Sequence, residues 1–259
     1  MTEPTVRELF SLDGRVAVVT GGSKGLGRSM ALALAQAGAR TVLVSRHIAE
    51  GQAAAAELAA ATGRESVALA ADVTQEEDVA RLFADVSSRF GRIDVLVNNA
   101  GLNIRHPIED YPAAEFRQVI DVNLTGAWLC CRAVAPILKR AKSGSVINLG
   151  SALSAISLPE RSAYAAAKAG ILGLTRTLAL EWAPFGARCN ALCPGPFLTE
   201  MNQPLLATPE KAQAILSQTA FNRWAELHEI RGAAVFLASD ASSYMTGAAL
   251  YVDGGWTAR

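Results

Sequence analysis

The sequence predicts an α/β fold, a doubly wound parallel sheet of about seven strands with helices on both faces. Three observations predict it. Short apolar runs alternate with helical patterns along almost the whole chain. A glycine-rich loop directly follows the first apolar run and opens a helix. No repeat, low-complexity segment or linker rich in Pro, Ser or charge divides the 259 residues, so 1–259 reads as one domain.

The elements follow in order. Arg15-Val-Ala-Val-Val-Thr20 is the first buried strand, and a helix over 25–37 is stopped by Gly38. Arg40-Thr-Val-Leu-Val-Ser45 is the second strand, and the Ala-rich helix after it ends at Gly63. Ser66-Val-Ala-Leu-Ala-Ala71 is the third. The next helix opens at Thr74-Gln-Glu-Glu-Asp78, with Thr74 as the expected N-cap and Glu77 three residues on. Ile93-Asp-Val-Leu-Val97 is the fourth strand. Ser145-Val-Ile-Asn-Leu149, Ala187-Arg-Cys-Asn-Ala-Leu192 and Ala248-Ala-Leu-Tyr-Val252 supply three more. Residues 194–209 read as a loop with helical pieces, and about 194–226 as a substrate loop or lid.

Composition narrows the function classes. The chain is 51% hydrophobic and 19% charged, as a globular protein is, and 24 Lys+Arg balance 24 Asp+Glu. No basic stripe points to nucleic acid or an anionic membrane. No apolar run approaches membrane-spanning length, and the N-terminus lacks a signal-peptide pattern. Cys130, Cys131, Cys189 and Cys193 form no Cys-x-x-Cys pair, and buried thiols in a reducing, cytoplasmic compartment are expected. His47, His106 and His228 show no metal-ligand spacing, so no metal is expected.

Two motifs carry chemistry. In Thr20-Gly-Gly-Ser-Lys-Gly-Leu-Gly27 the glycines let the backbone turn tightly and approach a pyrophosphate, which sits on the positive end of the following helix. Tyr164 and Lys168 stand four apart on a predicted helix over 163–182, so both side chains rise from one face. An ammonium beside a phenol favours the phenolate and is expected to lower the phenol's pKa from about 10 towards neutrality. A tyrosine so tuned exchanges a proton with a substrate oxygen. On its own this spacing is common in helices; here it stands among other motifs in order.

Those motifs are the glycine loop, Asn98-Asn-Ala-Gly101 after the fourth strand, Asn123, Ser151, Tyr164 with Lys168, and Pro194-Gly195. Over about 12–255 the chain resembles the short-chain dehydrogenase/reductase family. The resemblance implies a catalytic tetrad of Asn123, Ser151, Tyr164 and Lys168. Tyr164 would exchange the proton while hydride moves, Ser151 would hold the substrate oxygen, Lys168 would also hold the nicotinamide ribose, and Asn123 would position a water. It implies a dinucleotide bound by Gly21, Ser23, Lys24, Gly25, Leu26, Gly27, Ser45, Arg46, Asp72, Val73, Asn99, Ala100, Gly101, Tyr164, Lys168, Pro194, Gly195 and Thr199. Asn99 would tie neighbouring strands, and Asp72 would contact the adenine.

The neutral Ser45 at the end of the second strand, with Arg46 and Lys24 beside it, favours NADP(H), with NAD(H) as the alternative. For the substrate, Asn103, Arg105, Ser151, Leu153, Phe197 and Trp224 are the candidates; an arginine at 105 suits a carboxylate or is a solvated loop charge. His106 reads as a loop residue. The expected activity interconverts a secondary alcohol and a ketone, on a sugar acid such as gluconate by similarity to gluconate 5-dehydrogenases. The alternatives are a 3-oxoacyl-thioester or other carbonyl reductase, and a catalytically idle dinucleotide-binding scaffold or sensor. The predicted helix over 163–182 is apolar nearly all round and asks for a second partner on its outer face. In the family that partner is the same helix of another subunit, so a homotetramer is expected, with the C-terminal strand and the tail through Trp256 as the other interface.

Overall fold

The computed structural model describes residues 3–202 and 207–258, so positions 203–206 of the anticipated 194–226 loop lie outside the described residues. The strands are β1 (Val16–Thr20), β2 (Arg40–Ser45), β3 (Ser66–Ala70), β4 (Val95–Asn98), β5 (Gly144–Leu149), β6 (Ala187–Pro194) and β7 (Ala249–Val252). They form one sheet in the order β3-β2-β1-β4-β5-β6-β7, with every neighbouring pair parallel. Each of the seven strands falls on one of the seven apolar runs, although β4 starts at Val95 rather than Ile93 and ends at Asn98. β6 runs two residues further than its apolar run, because Cys193 and Pro194 pair with Tyr251 and Val252 of β7.

Parallel strands covered on both faces need apolar side chains on alternate sides, and the valine-rich runs provide them. Val16, Val18, Val42, Val44 and Leu96 pack on one face against α4 (Glu76–Phe90), α6 (Gly126–Ala141) and α7 (Ser162–Trp182). Ala17, Val19, Leu43, Val95 and Val97 pack on the other against α2 (Gly25–Gln36), α3 (Ile48–Thr62) and the helix Arg231–Ala238. Each fully buried Val or Leu contributes about 1.5–3 kcal/mol by leaving water, so the two layers hold the sheet rigid beneath the site. Among the described residues no helix is long and apolar enough to cross a membrane.

The chain leaves β1 towards β2 and β3, then returns to place β4 on the opposite side of β1. Connections therefore diverge at the carboxyl ends of β1 and β4, which opens the crevice where such sheets bind ligands. Below it, a buried polar chain joins sheet to helices. Asn98 Nδ2 donates to Asn148 Oδ1 at 2.8 Å and to Cys131 Sγ at 3.2 Å, and Asn148 Nδ2 donates to Thr175 Oγ1 of α7 at 3.0 Å. All four cysteines are buried thiols, and burial pushes those of Cys130 and Cys189 up to about 12.

One local expectation is corrected. α4 is preceded by Gln75, with no side-chain cap, rather than capped by Thr74. The carboxylate of Asp72 takes the threonine instead: Oδ1 accepts from the Thr74 amide at 2.9 Å and from its hydroxyl at 2.8 Å. A charged acceptor two residues away outcompetes the helix end for that hydroxyl.

Candidate active site

A cavity of about 400 Å³ opens at the carboxyl end of the sheet, from the 21–27 loop to Trp256. With the exception of Asp72, every residue anticipated for the site lines it. Asp72 is flanked by the lining residues Ala71 and Val73, and its Oδ1 is held by Thr74. His106 does not line the cavity; its Nε2 sits 2.8 Å from Glu115.

The loop after β1 is cut to let a ligand come close to the backbone. A Cβ on Gly27 would collide with the Gly21 carbonyl and the Asn99 amide, so only glycine lets α2 start so near the strand. Asn99 Nδ2 donates to the carbonyls of Thr20 and Gly21 at 2.9 and 3.0 Å, and the Thr20 hydroxyl accepts from the amides of Asn99 and Ala100 at 3.0 Å each. The ends of β1 and β4 are thereby tied, and the first-turn amides of α2 face an open groove, which fits the pyrophosphate of a dinucleotide. At the end of β2, Ser45 is buried and Arg46 exposed on the same wall. Lys24 Nζ is paired at 2.9 Å with Glu200, a lining residue with no sequence signal of its own.

Deeper in, three elements bring the polar group together. Ser151 follows β5, and its Oγ accepts from the Leu153 amide at 3.1 Å. Tyr164 lies in the first turns of α7, with the Lys168 ammonium 5.6 Å from its ring centroid. Lys168 is 4% exposed, and its Nζ donates to the Leu149 carbonyl at 2.6 Å. The Ser154 hydroxyl donates to the Lys168 carbonyl at 2.8 Å and anchors α7 to the loop after β5.

The expected depression of the Tyr164 pKa is not what this arrangement produces. Burial pushes the phenol above its ordinary value, while a hydrogen bond with Ser151 and the charge of Arg105 pull the other way. Lys168 is itself pulled down to about 8 by burial, and its ammonium is held on a backbone carbonyl rather than on the phenol oxygen. Spacing on a helix places the two side chains together; it does not report how much water the fold removes from both.

Asn123 lies in a π-turn, Asp121–Thr125, between α5 (Ala113–Ile120) and α6. Its Nδ2 donates to the carbonyls of Leu102 and Val119 at 2.8 Å each, while its Oδ1 is buried without a partner. A Cβ on Gly101 would lie 2.7 Å from that oxygen, so the glycine keeps the slot in front of it open. Such π-turns in helices recur at functional sites, where they redirect one side chain.

The apolar wall holds Leu153, Phe197 and Trp224 as anticipated, with Ile215 and Trp256 added. Phe197 is 1% exposed and is fixed by a parallel bridge to Ala225. Trp256 is buried against Ala152, Leu153 and Ile215 of its own chain. Arg161 is a further lining residue that the sequence did not mark for the site. It lines the cavity beside Tyr164 with its side chain 8% exposed. Its signal was available, because Arg161, Tyr164 and Lys168 stand at i, i+3 and i+7.

Comparison with known proteins agrees with this geometry. Residues 21–257 match a family profile described as enoyl-(acyl carrier protein) reductase. The chain is 39% identical over 254 residues to the 3-oxoacyl-(acyl-carrier-protein) reductase of Synechocystis sp., covering 95% of this chain and 98% of that protein. It is 38% identical over 251 residues to the 2-dehydro-3-deoxy-D-gluconate 5-dehydrogenase of Escherichia coli, covering 96% and 98%. A crystal structure of a gluconate 5-dehydrogenase from Burkholderia cenocepacia, in complex with NADP and tartrate, matches with a TM-score of 0.95 at 34% identity, covering 98% of this chain and all of that one.

Proposed function

The chain belongs to the short-chain dehydrogenase/reductase family, and from that premise we propose that it is an NADP(H)-dependent oxidoreductase interconverting a secondary alcohol and a ketone, with a sugar acid such as gluconate as substrate. The observation that carries the reading is the single cavity lined at one end by the glycine loop and at the other by Ser151, Tyr164 and Lys168.

A nicotinamide held in that groove would supply or accept a hydride at the substrate carbon. The chain's own residues manage the oxygen. Ser151 Oγ holds it, and Tyr164 donates its proton to it in reduction or accepts one in oxidation. Lys168, buried and fixed on Leu149, keeps a positive charge against the Tyr164 ring and offers its ammonium to the cofactor ribose. The unpartnered Oδ1 of Asn123 accepts from a water that returns protons to Lys168. Gly21, Ser23, Gly25, Leu26, Gly27, Asn99, Ala100, Gly101, Pro194, Gly195 and Thr199 all line the cavity and would hold the dinucleotide. Arg46 receives the 2′-phosphate, since Ser45 brings no carboxylate to repel it.

The sugar-acid reading is supported by the relatives named for gluconate and its 2-dehydro-3-deoxy derivative. A second reading, reduction of a 3-oxoacyl thioester, is favoured by the match to the Synechocystis enzyme. Arg105 and Arg161, which line the cavity with Ser151 and Tyr164, suit a free carboxylate better than a neutral thioester. The experiment is turnover of sugar acids, diketones and acyl thioesters, followed by nicotinamide absorbance with each cofactor.

Assembly as a homotetramer is part of the proposal. Leu180 on α7 is 79% exposed, and Ala166 and Ala169 are exposed on the same helix, an apolar face a second copy would cover. The other contact falls on β7, the edge strand of the sheet, and on the tail through Trp256. Sedimentation at micromolar concentration is expected to give four times the chain mass of 27.2 kDa, and a stable monomer would refute it.

A further inference from the structure

Arg161 has a role that the proton chemistry leaves unexplained. It is a charged side chain 8% exposed, and its recorded partners both belong to its neighbour Glu160: the backbone carbonyl at 3.3 Å and the carboxylate at 3.8 Å. Burying a guanidinium with so little compensation is costly, and such a group is held for a ligand or a network that satisfies it. No such network appears among the described residues. The nearby Tyr111 hydroxyl donates to the Ile104 carbonyl instead.

Arg105, also on the cavity lining, repeats the pattern. Among the described residues its Nε is buried with no partner, and its Nη2 reaches only the Met201 carbonyl, at 3.5 Å. Both arginines line the cavity with Ser151 and Tyr164. Burial, and after it the charge of Arg105, pulls the Arg161 pKa down to about 10. Asn103 adds the complementary defect, a buried Oδ1 that accepts from nothing. Both guanidiniums feel the exposed Glu160 carboxylate, and the Lys168 ammonium lines the same cavity, so the surroundings stay positive and suit an anionic group.

We propose that Arg161 is the specificity-determining half of a two-arginine clamp, formed with Arg105, that holds the carboxylate of a hydroxy-acid substrate while Asn103 Oδ1 accepts one of its hydroxyls. The clamp rests on the sugar-acid reading above. It discriminates a polyhydroxy acid from the matching polyol, because the neutral end of the polyol leaves both guanidiniums unpaired. Arg161 is a binding residue and takes no part in the proton chemistry.

The test is calorimetric titration of the enzyme saturated with NADPH, using D-gluconate, L-tartrate, D-glucitol and inorganic phosphate. D-gluconate is expected to bind at least about tenfold more tightly than D-glucitol, which differs from it at the carboxylate. Arg161→Leu and Arg105→Leu should each weaken gluconate at least about tenfold and leave glucitol unchanged. Arg161→Lys, which keeps the charge and loses the fork, should fall between, and it serves where the leucine variant does not fold. NADPH affinity should stay at the wild-type value in every variant. The clamp is overturned if glucitol binds as well as gluconate, if Arg161→Leu leaves their ratio unchanged, if phosphate binds more tightly than either carboxylate, or if neither carboxylate binds. Gluconate turnover with an unchanged ratio would sink the clamp alone. Arginine-dependent carboxylate binding without turnover of any sugar acid would sink the substrate reading and keep the clamp.

Discussion

Tyr164→Phe is expected to lower turnover at least about 100-fold in both directions, the scale of a positioned acid-base group, while leaving NADPH affinity near wild type. The substitution removes the one transferable proton on the ring and keeps its packing. Phenylalanine fits because the tyrosine ring lies in an apolar cluster with Leu153, Ile156, Leu158 and Trp224. The pH dependence follows from the direction of the shift. Burial raises the Tyr164 pKa, so the phenol stays protonated through neutral pH. Ketone reduction is therefore level there and falls as pH rises through the raised pKa, whereas alcohol oxidation climbs over the same interval. Initial rates in both directions for wild type and variant check this. Near-normal turnover by Tyr164→Phe would remove the tyrosine from the chemistry.

Arg46→Ala is expected to weaken NADPH binding by about 1.5–3 kcal/mol, the scale of hydrogen bonds to a charged group, and to alter NADH binding little. Arg46 is exposed on the cavity wall next to the neutral Ser45, so its guanidinium is available to a 2′-phosphate. Lys24 stands on the same wall, but its ammonium is already drawn to Glu200 at 2.9 Å. This pair is more than half exposed on both sides and worth little in itself, so a phosphate can displace the carboxylate. Arg46 therefore carries the larger share of the preference. Titration of both cofactors against wild type and variant decides it: equal loss for NADPH and NADH would show that Arg46 does not read the phosphate.

The sheet was legible in the sequence because each strand is a short apolar run ended by Gly or a polar residue, and burial on both faces leaves little other use for such runs. Strand ends were less legible. Pro194 belongs to β6 through pairing with Val252, a contact between distant segments that no local pattern announces. The Thr74 cap was misread for a related reason: a capping signature is local, but the Asp72 carboxylate competes for the same hydroxyl. At the site, motif order located Tyr164, Lys168, Ser151 and Asn123. Their electrostatics depend on desolvation, which a sequence does not display, and the direction of the tyrosine shift was reversed accordingly. Arg161 was overlooked because it stands outside the motifs, and its burial comes from folding near Arg105 and Tyr111.

The most direct test is the initial rate of cofactor turnover by the wild-type enzyme, with sugar acids, diketones and acyl thioesters each offered with NADP(H) and NAD(H). The account predicts turnover of a sugar acid or its keto form, faster with NADP(H). Absence of turnover with every secondary alcohol and ketone, in the presence of either cofactor, would contradict it.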